Sequence, residues 1–261
     1  MSVRRLVGLA SSLVVLSLVS VHPVAQAPRP AAAQPQLVLI SFTKVRPAMG
    51  PKFVDLQVKE VMPAQKKGGS PGRQAFSSGI AGAPGEFVFV TPITNMAMFD
   101  EQPPVRKALG DEGAAALNQK LAEISESAGS LVARMRPDLS YIPDPKAPPT
   151  PLGIITIVEL VPGKRAGFEA FLKSDVVPAM QKAKVRGYHV MEVLYGENTG
   201  GYITVVGMET YAEIGKGHPF EIALGEGGSQ KMEAKAAGLI TKIHRFISRH
   251  RPELSWSPST S

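Results

Sequence analysis

Apolar and polar positions along this 261-residue chain alternate in two periods, and the order in which those periods follow one another is written twice. The runs QLVLISFTKV (residues 36–45) and GIITIVELV (residues 153–161) are rich in β-branched residues and stop just before Pro47 and Pro162, as strands do. A helical stretch follows each. Phe53, Leu56 and Val61, and their counterparts Phe168, Phe171 and Val176, fall on or near one face with charges between them. A proline inside a helix removes a ladder hydrogen bond, so both helices are expected to stop near Pro63 and Pro178. Two short strands then read as a hairpin around a glycine: RQAFSSGI and EFVFVTPI about Gly85, YHVMEVLY and GYITVVGM about Gly200. A long helix comes next. In the second copy Met232, Ala236, Leu239, Ile240, Ile243, Phe246 and Ile247 recur at helical spacing. The phrases GDEG and GEGG put Asp111 and Glu226 close to its start, where the positive end of the helix dipole favours an acid. The phrase Arg-x-Arg-Pro, in RMRPDLSY (134–141) and RHRPELSW (249–256), is expected to end this helix and open a last strand.

Sliding the chain by 115 residues aligns it with itself without a gap. Residues 36–141 against 151–256 give 24 identities in 106 positions, where ordinary composition gives roughly 7. The duplication separates two repeats, 36–142 and 152–256, joined by PDPKAPPTP, whose prolines hold a linker extended. Each repeat reads strand, helix, strand, strand, helix, strand, which is the ferredoxin-like α+β order with both helices on one face of an antiparallel sheet. The other face is apolar and needs cover. Two copies on one chain can cover each other, sheet against sheet, as an intrachain pseudo-dimeric barrel.

That duplicated order resembles the dimeric α+β barrel superfamily, with NIPSNAP-type and antibiotic-biosynthesis-monooxygenase-type proteins as the nearest comparisons. The resemblance implies the barrel. Its members include cofactor-free oxygenases, haem enzymes, small-molecule isomerases and proteins without an assigned role, so it does not choose an activity.

The start of the chain changes the picture of where this barrel works. Arg4 and Arg5, the apolar run from Leu6 to Val21 and the small residues Ala25-Gln26-Ala27 have the layout of a cleaved export signal, residues 1–27, followed by a disordered linker at 28–35. The expected location is periplasmic or secreted. No later segment approaches a membrane span, and residues 257–261 read as a disordered tail. The absence of cysteine excludes disulfides and thiolate chemistry. The formal charge of +7 becomes +5 without Arg4 and Arg5. This modest excess on an exported chain points to no nucleic-acid partner.

Candidate chemistry gathers in the second repeat. His189, His218, His244 and His250 all lie there, opposite Gln74, Pro103, Gly129 and Met135 in the first. His189, on a hairpin strand with Glu192 or Tyr195 in reach, and His218, on a loop, are the candidate general bases or haem ligands. The alternative is four unrelated polar histidines, with no cofactor. Tyr188, Glu192, Tyr195 and Tyr202, with Arg249 and Arg251, are candidate contacts for a small apolar or aromatic ligand. The arginine pairs, Arg134 with Arg136 and Arg249 with Arg251, could hold a carboxylate or phosphate by forked hydrogen bonds, or could instead cap the helix end and bind Asp138 or Glu253. NMAMF (95–99) invites copper(I) but lacks nearby histidine or cysteine, so core filling is expected and no metal site. No nucleophile elbow, P-loop, HExxH or dinucleotide fingerprint is present. A small-molecule binding protein, an oxygenase or haem enzyme, and a structural module without a ligand all remain open.

Overall fold

Among the described residues eight strands form, and every pairing between them is antiparallel. The structure is a computed structural model that describes residues 36–257; residues 1–27, read above as an export signal, the 28–35 segment and the last four residues lie outside them. The first repeat supplies β1 (Leu37–Val45), β2 (Gln74–Ser78), β3 (Glu86–Ile93) and β4 (Ser125–Met135). The second supplies β5 (Leu152–Leu160), β6 (Tyr188–Tyr195), β7 (Tyr202–Met208) and β8 (Ile240–His250). Within the repeats the orders are β4-β1-β3-β2 and β8-β5-β7-β6. The free edges then pair, β2 with β8 and β4 with β6, so the ring closes.

Side chains alternate across a strand, so each strand has an inner and an outer set. Val38, Ile40, Ala133, Met191, Val193 and Ile203 are buried inside the barrel, with Val88, Val90, Leu131, Ile155, Ile157 and Val205 packed against them. An eight-stranded ring is narrow enough for side chains to fill it. The outer faces carry two further cores under the helices. One centres on Phe53, Phe87, Phe89, Leu117 and Ile124, the other on Phe168, Tyr202, Met180, Val190 and Met232.

The helices depart from the sequence expectation in two places. The first helix of each repeat does not stop at its proline. α1 runs Gly50–Leu56, a π-helical turn Gln57–Val61, then Met62–Lys67, and the second repeat does the same in Arg165–Phe171, Leu172–Val176 and Val177–Lys182, here called α3. The widened turn just upstream of Pro63 and Pro178 relieves the clash of the ring with the preceding turn, and the missing N–H falls where the ladder changes step. Between them, α2 spans Pro104–Ile124, broken at Gly110 by a φ of 72°.

The long helix expected in the second repeat is instead three short ones: α4 (Tyr211–Ile214), α5 (Pro219–Leu224) and α6 (Gly228–Ala236). From Ile240 onwards the chain is β8, and His244 therefore sits on a strand. Phe246 lies opposite Ile155 and Ile247 opposite Ile154, one on each side of the sheet. A continuous ladder against β5, from Leu152 opposite Arg249 to Leu160 opposite Ile240, outweighs the helical spacing. The Arg-x-Arg-Pro phrases consequently close strands β4 and β8 and lead into the 3₁₀ turns Pro137–Leu139 and Pro252–Leu254. Met96 and Phe99 are exposed, not core-filling. Among the described residues no helix is long and apolar enough to cross a membrane.

The filled interior makes a prediction. Ile40→Ala, at a site 6 % exposed, should cost about 2–4 kcal/mol in urea unfolding. Ile243→Ala, on the exposed side of β8, should stay within about 0.5 kcal/mol.

Candidate functional site

Two seams join the repeats, and each is sealed by an Arg-x-Arg-Pro phrase reaching across from the strand that ends the other repeat. At the β4–β6 seam Arg134 lies opposite Glu192, and Met135 opposite Met191. Glu192 is 2 % exposed. A buried carboxylate survives only with charged hydrogen-bonding partners, and it has them: Arg136 Nη1 at 3.2 Å, the Arg165 guanidinium, and Arg134 Nη1 at 3.9 Å. Arg136 also forks onto Glu169 (2.7 and 3.0 Å) and onto Asp138 (2.9 Å to each oxygen). The Tyr202 hydroxyl donates to Glu169 Oε1 at 2.6 Å. The hydrogen bonds from Arg136 dominate in holding the Glu169 carboxyl down to about 2, and they lower Asp138 as well. Burial, with the Glu169 hydrogen bond added, pushes the Tyr202 phenol up.

The β2–β8 seam is built from the same phrase with fewer acids. Arg251 Nε donates to Glu253 at 2.7 Å, Nη1 reaches Ser77 at 3.5 Å, and the guanidinium stands 5.4 Å from the centre of the Phe87 ring. Arg249 lies opposite Ser77. Its guanidinium is 5.8 Å from the centre of the Tyr211 ring, and among the described residues it forms no ion pair. Beside it opens a recess of about 490 Å³, lined by Pro149, Pro151, Leu152, Tyr211, Arg249 and His250, with Glu209, Thr210 and Pro252 completing its wall.

The other candidate residues disperse. Tyr188 is buried and packed in the outer core of the second repeat, its phenol pushed up by burial. Tyr202 is wholly buried, with its ring 5.0 Å from Phe168. Tyr195 is 64 % exposed at the end of β6. His189 shares the inner face with Met191 and Val193, whereas Glu192 belongs to the outer face, so strand alternation separates these two. Burial lowers the His189 imidazole below its ordinary value. His218 caps α5: its Nδ1 accepts from the backbone N–H of Phe220 at 3.3 Å, and burial, then the nearby Arg245 charge, brings it to about 4. His250 Nε2 lies 3.0 Å from Gln74 Oε1 and 3.2 Å from Ser255 Oγ.

The settings of His218 and His250 do not fit an axial haem ligand, whose coordinating nitrogen must be free to face the iron. In His218 the accepting Nδ1 leaves the proton on Nε2. His250 commits Nε2 to its neighbours and His244 is exposed, whereas His189 is half-buried at the start of β6. Arg136 was singled out in the duplicated phrase, and its expected pairing with Asp138, like that of Arg251 with Glu253, is present; Arg165 and Glu169 were not singled out from the sequence. The signal was the shift of 115: Glu169 falls on Val54 and Glu192 on Ser77, acids present in one copy only.

No family model matches the chain, and no curated protein matches it. Solved structures do. An anthrone oxidase-like protein aligns with a TM-score of 0.58 at 9 % identity, covering 84 % of this chain and 92 % of its own. A provisionally assigned monooxygenase of Fusobacterium nucleatum gives 0.55 at 8 %, covering 83 % and 92 %. A provisionally assigned chlorite dismutase gives 0.50 at 10 %, covering 84 % and 96 %. At such identities the likeness is one of fold: the chain has the dimeric α+β barrel architecture, with both halves on a single polypeptide.

Glu192→Ala removes an acceptor shared by Arg136 and Arg165, while Arg136 keeps Glu169 and Asp138, and should lower stability by about 1–3 kcal/mol, whereas Ser77→Ala at the matching position should change it by under about 1 kcal/mol; urea unfolding at neutral pH measures both. The depressed carboxyl of Glu169 contributes stability that is complete above its ordinary 4.5 and lost as pH falls toward about 2. Glu169→Gln should therefore be less stable at neutral pH, and its stability should decline less steeply between those two values.

Proposed function

We propose that this protein binds a small molecule with an apolar or aromatic body in the recess beside β8, and does so outside the cytoplasm. The observation that carries this reading is the recess itself. Its volume falls within the roughly 300–1,000 Å³ of small-molecule sites, and such sites combine rigid apolar walls with a few converging polar groups. Three prolines, Leu152 and Tyr211 supply the walls; Arg249 and His250 supply polar groups. The packed barrel interior supports an external site over one between the sheets. The leader-like residues 1–27 support export.

Native mass spectrometry of protein purified from its own host should find a co-purified small molecule. A panel of hydrophobic and aromatic compounds should raise the Tm, and Tyr211→Ala should shrink that rise. A chain that purifies empty and responds to no compound would instead be a scaffold without a ligand.

A further inference from the structure

The two seams are related by the repeat, so each shows what the other has kept or lost. At the β4–β6 seam, Arg134 and Arg136 flank Glu192, the acid opposite Arg134 on the neighbouring strand. At the β2–β8 seam, Arg249 and Arg251 flank Ser77, which occupies the position of Glu192. The second acid is gone as well, since Glu169 maps onto Val54, and Tyr202 onto Phe87. Of the three acids of the first seam, only the Asp138 equivalent survives, as Glu253, and it is taken up by Arg251 at 2.6 Å.

Both arginines are thus retained while the carboxylate between them is removed. Arg249, left over, sits in the wall of the recess against the Tyr211 ring. A guanidinium prefers a carboxylate that it can grip with two parallel N–H donors. Resting on the proposed recess, we infer that its ligand is a carboxylate with a flat apolar body, whose carboxyl group pairs with Arg249 where the other seam uses Glu192. The body lies along Tyr211 and the prolines. Glu209, also in the wall and 3.6 Å from Arg186, disfavours a second negative charge on the ligand, so a monoanion fits better than a dianion.

The test uses the whole chain with phenylacetate, its neutral amide phenylacetamide, and acetate, read by calorimetric titration and thermal shift. Phenylacetate should bind measurably tighter than either comparison compound. Arg249→Gln should weaken it by roughly tenfold or more, the loss expected for one charge-assisted contact. Ser77→Glu, which restores an internal acid opposite Arg249, should weaken it similarly while leaving phenylacetamide binding unchanged. If Ser77→Glu fails to fold, Arg249→Gln decides alone. Equal binding of phenylacetate and phenylacetamide, unaffected by Arg249→Gln, would overturn the carboxylate assignment and leave the recess standing. Equal binding of acetate would overturn the need for an apolar body. Binding by none of the three probes would overturn this inference, whereas a neutral compound protecting the recess would still uphold the broader reading.

Discussion

Each four-stranded sheet leaves two edges whose backbone N–H and C=O groups lack partners, and one face whose apolar side chains lack cover. The β2–β8 and β4–β6 pairings meet both needs together. Open edges invite pairing with other chains, and joining them in one ring removes all four. The same closure brings Val38, Ile40, Ala133, Met191, Val193 and Ile203 from both repeats into one interior. The helices are then free to cover the outside, where they position Arg165 and Glu169 over the first seam and Tyr211 beside the second.

The seams are where the repeats differ most in polarity. The first is a network of guanidinium and carboxylate groups centred on Arg136, Arg165, Glu169 and Glu192, with Arg134 at its edge, 3.9 Å from Glu192 and its buried Nε without a hydrogen-bond partner among the described residues. Such a network is poor at adding net stability, because the desolvation it incurs nearly cancels its attraction, yet removing one member is costly. It fixes register. The second seam holds its register with a shorter ladder of three pairs, helped by Arg73, whose buried guanidinium contacts Gln57, Gln65 and the carbonyl of Leu254. Burial lowers Arg73 to about 10, and the ring of Phe89 lies 4.3 Å from it. This seam is thus tied by neutral acceptors and an aromatic face.

Much of the fold was legible because β-branched runs and the shift of 115 point the same way. YHVMEVLY coincides with β6, and the positive φ of Gly85 and Gly200 marks both hairpin turns. The last strand of the second repeat was not legible. Ile240, Ile243, Phe246 and Ile247 satisfy a helical spacing and show no alternation of period two, and only the partner strand β5 decides between helix and strand. The helices passing through Pro63 and Pro178 depend on a change of turn that residue preferences do not encode. At the site, Arg249 and Arg251 were readable from the duplicated phrase. Their surroundings were not: Arg136 meets a Glu192 that is 56 positions away, and the linker read as a spacer turns out to supply Pro149 and Pro151 to a recess.

The peptide that runs from Pro143 to Pro151 has an evolutionary meaning beyond its reach. In a pair of separate, identical chains, two-fold symmetry would oblige both junctions to hold the same residues, so a glutamate could be present twice or absent twice but never once. Fusion lifts that obligation. One junction can stay charge-complete and hold the barrel shut, while its twin drifts toward a vacant cation and acquires a task of its own.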